Sequence, residues 1–297
     1  MVHNGNVIGN ANGFCIKDCT ECGFIHMDPI PSADELDRVY SEEYYTDEKP
    51  RFIERVIEDL KWWNSVYDDR YAFLESRLSA SRRAILDIGC GPGYFLKKGI
   101  DRGWKCFGVE PSRQAARHAA GLGIDVKNAF FNEETASSLG RFDAVHLSEV
   151  LEHVPDPAEV LKRASGLLNK GGVICCVVPN DYSPVQKVLK DKLNFSPYWL
   201  APPHHINYFS FSTLKGLMER SGFQVIHSTA MFPIDFFLLM GDNYIGDDKL
   251  GRASHARRKS LDLMLDEPLL KAFKKELYEL MARHGIGREM VVYGVKE

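Results

Sequence analysis

The chain has 297 residues, 44% of them hydrophobic and 26% charged, with a net charge of −4, which is the composition of a globular protein with one large or two small domains. The acidic balance argues against an electrostatic footprint for nucleic acid; only Arg252 to Lys259 is locally basic, and it is short. No apolar stretch approaches the ~18 residues of a membrane span, and the longest candidate, Phe232 to Met240, is broken by Pro233 and Asp235.

Residues 1–32 are rich in Gly and Asn and carry Cys15, Cys19 and Cys22. Cys19-Thr-Glu-Cys22-Gly, followed by His26 and Asp28-Pro29, resembles the second half of a zinc ribbon whose first Cys-x-x-Cys pair is missing. A structural zinc needs four ligands, and only these cysteines with His3 or His26 are at hand, so the expectation is a metal-free remnant. The cysteine count of seven is odd, Cys175 and Cys176 sit together in a core-like run, and no apolar leader is evident. The expected setting is a reducing cytoplasm.

Residues 33–80 read as a helical cap, with a short helix over Asp34–Tyr40 and one or two longer ones over Arg51–Ser79. Phe52, Val56, Leu60, Trp63 and Tyr67 recur at the spacing of a buried helix face. From residue 84 strand and helix patterns alternate, with strands over 84–89, 104–109, 124–128, 142–147 and 172–178. Such alternation predicts a parallel sheet with helices on both faces. Phe223–Thr229 reads as a sixth strand and Met290–Val295 as a seventh. Between them, residues 231–287 form an insertion that opens on the apolar run Met231–Met240 and continues into two helices. The core domain is thus 81–230, completed by residues 288–297.

The first strand of this series is followed by Asp87-Ile-Gly-Cys-Gly-Pro-Gly93. Gly89, Gly91 and Gly93 remove side chains where the backbone turns and approaches a ligand, and the helix that follows offers free backbone N–H groups. Glu110 ends the next strand, at the distance where dinucleotide folds place an acid for a ribose hydroxyl pair. The third glycine arrives one residue early for a dinucleotide fingerprint. Asp87 would repel a pyrophosphate but suits an ammonium group. A nicotinamide-dependent oxidoreductase is therefore disfavoured.

These residues, with Phe107-Gly-Val-Glu110-Pro-Ser, resemble the class I S-adenosylmethionine-dependent methyltransferases. Phe142-Asp-Ala-Val-His-Leu-Ser-Glu-Val-Leu-Glu-His-Val-Pro-Asp-Pro157 and Pro203-His-His-Ile-Asn-Tyr-Phe-Ser210 resemble the branch that includes ubiquinone-biosynthesis O-methyltransferases and many sugar and secondary-metabolite methyltransferases. The resemblance implies a Rossmann-like, seven-stranded, mostly parallel sheet, with the last strand antiparallel at its far side. It implies S-adenosylmethionine as cofactor, held by Asp87, Gly89, Gly91, Gly93, Glu110 and Pro111. Leu147 and Ser148 would meet its methionine part, Phe130 or Phe131 would stack on its adenine, and Tyr44 and Tyr45 would close over it as a lid. Nucleobase methylation is disfavoured, because Ser148-Glu-Val-Leu151 replaces the motif of that branch.

Methyl transfer to an alcohol needs in-line positioning and a base, and histidine suits the second role. The candidates are His205, which aligns with the family histidine, then His153 and His204; His146, inside a strand pattern, reads as core. Glu149 and Glu152 flank the same loop, Glu149 as a candidate for a substrate hydroxyl. Asp235 and Tyr244 are expected in a roof over the acceptor. The reading is a small-molecule O-methyltransferase without a catalytic metal, acting on a sugar or secondary metabolite, of unassigned oligomeric state. N- or C-methylation, or a non-catalytic cofactor-binding subunit, are the alternatives.

Overall fold

The structure is a computed structural model that describes residues 3–32, 35 and 51–296. The expected helix over Asp34–Tyr40 (apart from Glu35) and the lid tyrosines Tyr44 and Tyr45 lie outside the described residues. Two sheets organise the rest. Strands β1 (Gly5–Ala11), β2 (Phe14–Cys19) and β3 (Phe24–Asp28) form an antiparallel meander, and β9 (Asn207–Tyr208) extends it beside β3. Helices Phe52–Glu58 and Leu60–Arg77 lead into the main sheet.

That sheet comprises β4 (Ala84–Ile88), β5 (Lys105–Glu110), β6 (Asp125–Asn128), β7 (Phe142–Ser148), β8 (Leu168–Pro179), β10 (Phe223–Ala230) and β11 (Glu289–Lys296). Their spatial order is β10-β11-β8-β7-β4-β5-β6. Strands β4 to β8 run parallel, and β11 runs antiparallel to both neighbours. The seven strands, the mostly parallel course and the antiparallel seventh strand agree with the sequence reading. The far edge, however, is β10, because the last strand inserts between β10 and β8. Its Met290-Val-Val-Tyr293 run is buried throughout, which an edge position would not allow.

Side chains alternate across the sheet, so two cores form. Leu86, Ile88, Leu147 and Cys176 pack with Leu161 and Leu217 on one face. Ile85, Ala144, Cys175 and Tyr293 pack with Tyr71, Leu74 and Phe95 on the other. Cys175 and Cys176 thus point to opposite faces, and both are free and buried. The N-terminal cysteine-containing segment, to which the sequence reading assigns no elements, pairs as a meander with turns at Asn12-Gly13 and Thr20-Glu-Cys-Gly23.

The insertion continues past its apolar run into two helices, Asp248–Leu265 and Lys271–Arg283, and the run itself forms a further short helix, Asp235–Leu239. Most of its apolar run is buried, Met231 in the main-sheet core, Phe232 and Phe237 against Tyr278, and Leu238 against Val185 and Leu189, while Leu239 and Met240 are exposed. Among the described residues, no helix is long and apolar enough to cross a membrane.

Candidate functional site

The site lies at the C-terminal ends of β4, β5 and β7, where open α/β sheets take their ligands. Gly89 (φ 71°), Gly91 (φ 52°) and Gly93 (φ 87°) all occupy the left-handed region. The N–H groups of Gly89 and Cys90 donate to the Val109 carbonyl at 2.8 and 3.2 Å, which ties the loop to β5. A Cβ on Gly89 would lie 2.6 Å from Val150 Cγ2. At Gly93 it would lie 2.5 Å from Ile124 Cδ1 and 2.8 Å from Ala119 Cβ. Gly93 is therefore required by helix packing. Unlike Gly89 and Gly91, it does not line the cavity.

That cavity has a volume of about 800 Å³, within the range of small-molecule and cofactor sites. Asp87, Gly89, Gly91, Glu110, Pro111, Phe130, Ser148, Glu149 and His153 all line it. Leu147 does not, because its side chain is wholly buried in the sheet core. Trp63, Tyr67 and Arg70 add a wall from helix Leu60–Arg77, and Phe131 stands beside Phe130.

Glu110 is pinned by the backbone. Its Oε2 accepts from Gly91 N–H at 2.8 Å and its Oε1 from Ser112 N–H at 2.9 Å. Burial pushes its carboxyl up to about 7 against the pull of those two bonds, with Asp87 pushing the same way. The carboxylate oxygens have further lone pairs, so a diol at the cavity wall would supply the stabilisation that burial removes.

Asp87 is 2% exposed, and its Oδ1 lies 2.7 Å from His146 Nδ1. His146 Nε2 lies 3.1 Å from Arg70 Nη1. Burial lowers the histidine pKa against the opposing pull of Asp87. A neutral ring satisfies both contacts, with Nδ1–H donating to Asp87 and Nε2 accepting from Arg70. Phe95 stacks on that ring at 3.8 Å. His146 is thus a core residue, as its strand position suggested, but it also orients the acid at the cavity floor. Arg70 continues to Ser148 Oγ at 3.4 Å.

The other end of the cavity is made by the turn after β7. Glu149 sits at φ 56°, and its N–H donates to Val177 O at 2.9 Å. Glu152 is 0% exposed. Burial and the neighbouring Glu149 hold its carboxyl well above the ordinary range. His153 Nε2 stands 3.8 Å from Glu152 Oε1, and its Nδ1 lies 2.7 Å from the His204 carbonyl. The ring of His205 packs edge-on against that of His153 at 4.9 Å. Glu152, His153 and His205 each offer a ligand atom, all within 4.8 Å of one another.

His153 lines the cavity, whereas His204 and His205 lie behind it. Asp235 is 1% exposed; it accepts from the Tyr198 hydroxyl and does not line the cavity. Tyr244 packs with Phe236 at the edge of the insertion, also away from the cavity. Burial pulls Arg288 down, but Asp235, Asp181, Glu289 and Glu149 together hold it above its ordinary value. Tyr45 lies outside the described residues.

Sequence reasoning missed Arg70 and the orienting part of His146. Trp63, Tyr67, Arg70 and Leu74 share one stripe at helical spacing, and an arginine inside an apolar stripe was the available signal.

A family model described as a methyltransferase domain matches residues 60–228. The ubiquinone biosynthesis O-methyltransferase of Chromobacterium violaceum is 30% identical over 127 residues, covering 38% of this chain and 55% of that one. Its counterpart from Caulobacter vibrioides is 32% identical over 127 residues, covering 41% and 50%. The chain spans about half the length of the curated relatives it matches. Among solved structures, a SAM-dependent methyltransferase from Archaeoglobus fulgidus aligns with a TM-score of 0.49 at 20% identity, covering 78% of this chain and 92% of that one.

Proposed function

The chain belongs to the methyltransferase-domain family, whose model matches more than half of it, and from that premise we propose that it uses S-adenosylmethionine to methylate an oxygen of a small hydroxylated acceptor, a sugar or a secondary metabolite. The observation that carries the reading is a single cavity with two chemically different ends. One end presents Glu110 and Asp87; the other presents Glu149 and His153, with Glu152 buried beside His153. The first suits a ribose diol and an ammonium group, and the second suits removal of a hydroxyl proton.

When bound, S-adenosylmethionine supplies an electrophilic methyl on a sulfonium. Glu110 would hold the ribose hydroxyls, with Gly91 and Ser112 keeping its carboxylate fixed. Asp87 would take the ammonium end, oriented by neutral His146 and Arg70. Phe130 and Phe131 would face the adenine. His153 is the proposed base, because it reaches the cavity while its Nδ1 is engaged by the His204 carbonyl. His205 would position it by edge-on packing, and His204 would do so through its carbonyl. Asp235 and Tyr244, away from the cavity, would support its acceptor side rather than contact the acceptor.

The proximity of Glu152, His153 and His205 supports a second reading, in which a divalent cation bound there lowers the pKa of the acceptor hydroxyl. The test is transfer of labelled methyl from S-adenosylmethionine to a panel of hydroxylated acceptors, with and without EDTA, followed by mass spectrometry. O-methyl products that survive EDTA support His153 as base. Loss of transfer in EDTA, restored by Mg²⁺, supports the cation. Absence of cofactor binding by calorimetry would refute both.

A further inference from the structure

We infer that the N-terminal sheet holds a structural zinc ion of its own, on His3, Cys19, Cys22 and His26. The turn from β2 into β3 carries the two cysteines. Gly23, at φ 73°, bends the chain so that its N–H returns to the Cys19 carbonyl at 2.9 Å. The Cys22 N–H aims at Cys19 Sγ at 3.5 Å, a contact that favours a thiolate there.

The third and fourth ligands come from outside that turn, His3 from the residues before β1 and His26 from β3. His3 Nδ1 lies 3.3 Å from Cys22 Sγ and 3.8 Å from Cys19 Sγ. Lys17 Nζ anchors that residue by donating to the His3 carbonyl at 3.0 Å. His26 stands on β3, its ring edge-on to that of His3 at 4.7 Å. The four ligand atoms all lie within 4.8 Å of one another. Zinc–sulfur bonds of about 2.3 Å and zinc–nitrogen bonds of about 2.0–2.1 Å put tetrahedral corners roughly 3.3–3.8 Å apart, so a small contraction closes the site.

An independent observation points to a ligand. His26 is 0% exposed, and its Nδ1 lies 2.7 Å from the Met27 carbonyl, which makes Nδ1 the protonated nitrogen. Its Nε2 is then a lone-pair nitrogen, buried and without a hydrogen-bond partner. Such an orphan demands an explanation. A histidine that gives one N–H to a backbone carbonyl and turns the other nitrogen to a metal is the usual arrangement at such sites. The Cys19 thiol lies 3.6 Å from Glu21 Oε2, a route for the proton that metal binding releases. Cys15 is outside the group. The missing first Cys-x-x-Cys pair is thus made good by two histidines.

The site also has a place in the larger fold. His26 pairs with Asn207 across β3 and β9. Asn207 Nδ2 donates to the Leu151 and Val154 carbonyls at 2.9 and 2.8 Å, and Ile206 N–H donates to Glu152 O at 2.7 Å. The ion would therefore brace the segment that carries His205 against the loop that carries His153.

The ion would brace those segments without touching cofactor or acceptor, so its test reads metal rather than turnover. The full chain, expressed with added Zn²⁺ and gel-filtered, should retain one zinc per chain. Exchange for Co²⁺ should give the visible bands of a tetrahedral ion together with thiolate-to-cobalt charge transfer, which a cation on Glu152, His153 and His205 would not produce. Cys22→Ser and His26→Ala should lose the metal, and Cys15→Ser should keep it. Where a variant does not fold, alkylation of the wild-type chain decides: bound zinc should protect Cys19 and Cys22 while leaving Cys15 reactive. Zinc at background, cobalt without thiolate bands, or equal alkylation of all three cysteines would overturn the proposal.

Discussion

Glu110 shows how one residue joins the backbone to the ligand. Its two backbone bonds fix the carboxylate, and its burial raises its pKa to about 7. Charge-assisted bonds to a ribose diol are worth roughly 1.5–3 kcal/mol each, so Glu110→Ala should weaken S-adenosylmethionine binding by at least about tenfold, read by calorimetry. Unchanged affinity would remove Glu110 from the site. Because the charged form accepts those bonds best, wild-type affinity should also fall as pH drops below about 7. At the other end, His153→Ala should lower kcat by about 10²–10⁴-fold with cofactor affinity unchanged, because a base acts only once acceptor is bound. His205→Ala should lower it less and shift the acid limb of the pH–kcat profile, because it touches His153 rather than the cavity. A greater loss in His205→Ala than in His153→Ala would exchange the two roles.

At the scale of elements, the insertion is clamped to the helical cap. Trp62 Nε1 donates to Asp262 Oδ2 at 2.7 Å, and the Tyr278 hydroxyl donates to the same carboxylate. Asp262 is 3% exposed, so its lone pairs have little water to turn to. Trp62→Phe keeps the apolar body and deletes the donor. It should cost roughly 1.5–3 kcal/mol in urea unfolding, the cost of an unmet hydrogen bond to a buried charge. A loss below about 0.5 kcal/mol would mean that water or Arg258, which lies over the Trp62 ring at 4.7 Å, already satisfies the carboxylate. This clamp was not legible in the sequence, for it joins residues 200 positions apart. What was legible is what period and spacing encode. The parallel strands appeared as apolar runs between helical patterns, and Asp87, the glycine turn and Glu110 appeared as one motif. The N-terminal strands were hidden because Gly5-Asn-Val-Ile-Gly-Asn-Ala11 is short of the apolar alternation that marks a half-buried strand. Leu147 and Gly93 show the same limit, since a motif position does not say whether a side chain faces the ligand or the core. The aromatics at 232–237 announced burial but not against what.

Among the described residues, Asp87, Glu110, Glu152 and Asp181 stand at or just beyond the C-terminal ends of β4, β5, β7 and β8, all of them buried. Asp181 follows β8, is 2% exposed, and has its Oδ2 buried without a hydrogen-bond partner. Burial pushes its carboxyl up to about 7, with Arg288 pulling the other way and Asp235 pushing it up further. The sign follows from linkage. An acid whose folded pKa is raised binds more protons folded than unfolded, so its contribution is fully present below the unfolded pKa and is lost as pH rises through the folded one. For Asp181 that window runs from 3.8 to about 7, and at 1.36 kcal/mol per pKa unit the loss is at most about 4 kcal/mol. Other groups titrate in the same range; His255, lowered to about 4 by burial and by Arg258, tilts the profile the opposite way. The total slope therefore says little, and a difference isolates the residue. Asp181→Asn is nearly isosteric and carries no charge at either pH. Urea unfolding of variant and parent should show the variant gaining at least about 1 kcal/mol more at pH 8 than at pH 5, a difference that removal of the Arg288 attraction reduces but does not reverse. Equal gains at the two pH values would mean that Asp181 is ionised throughout and that Arg288 outweighs its burial.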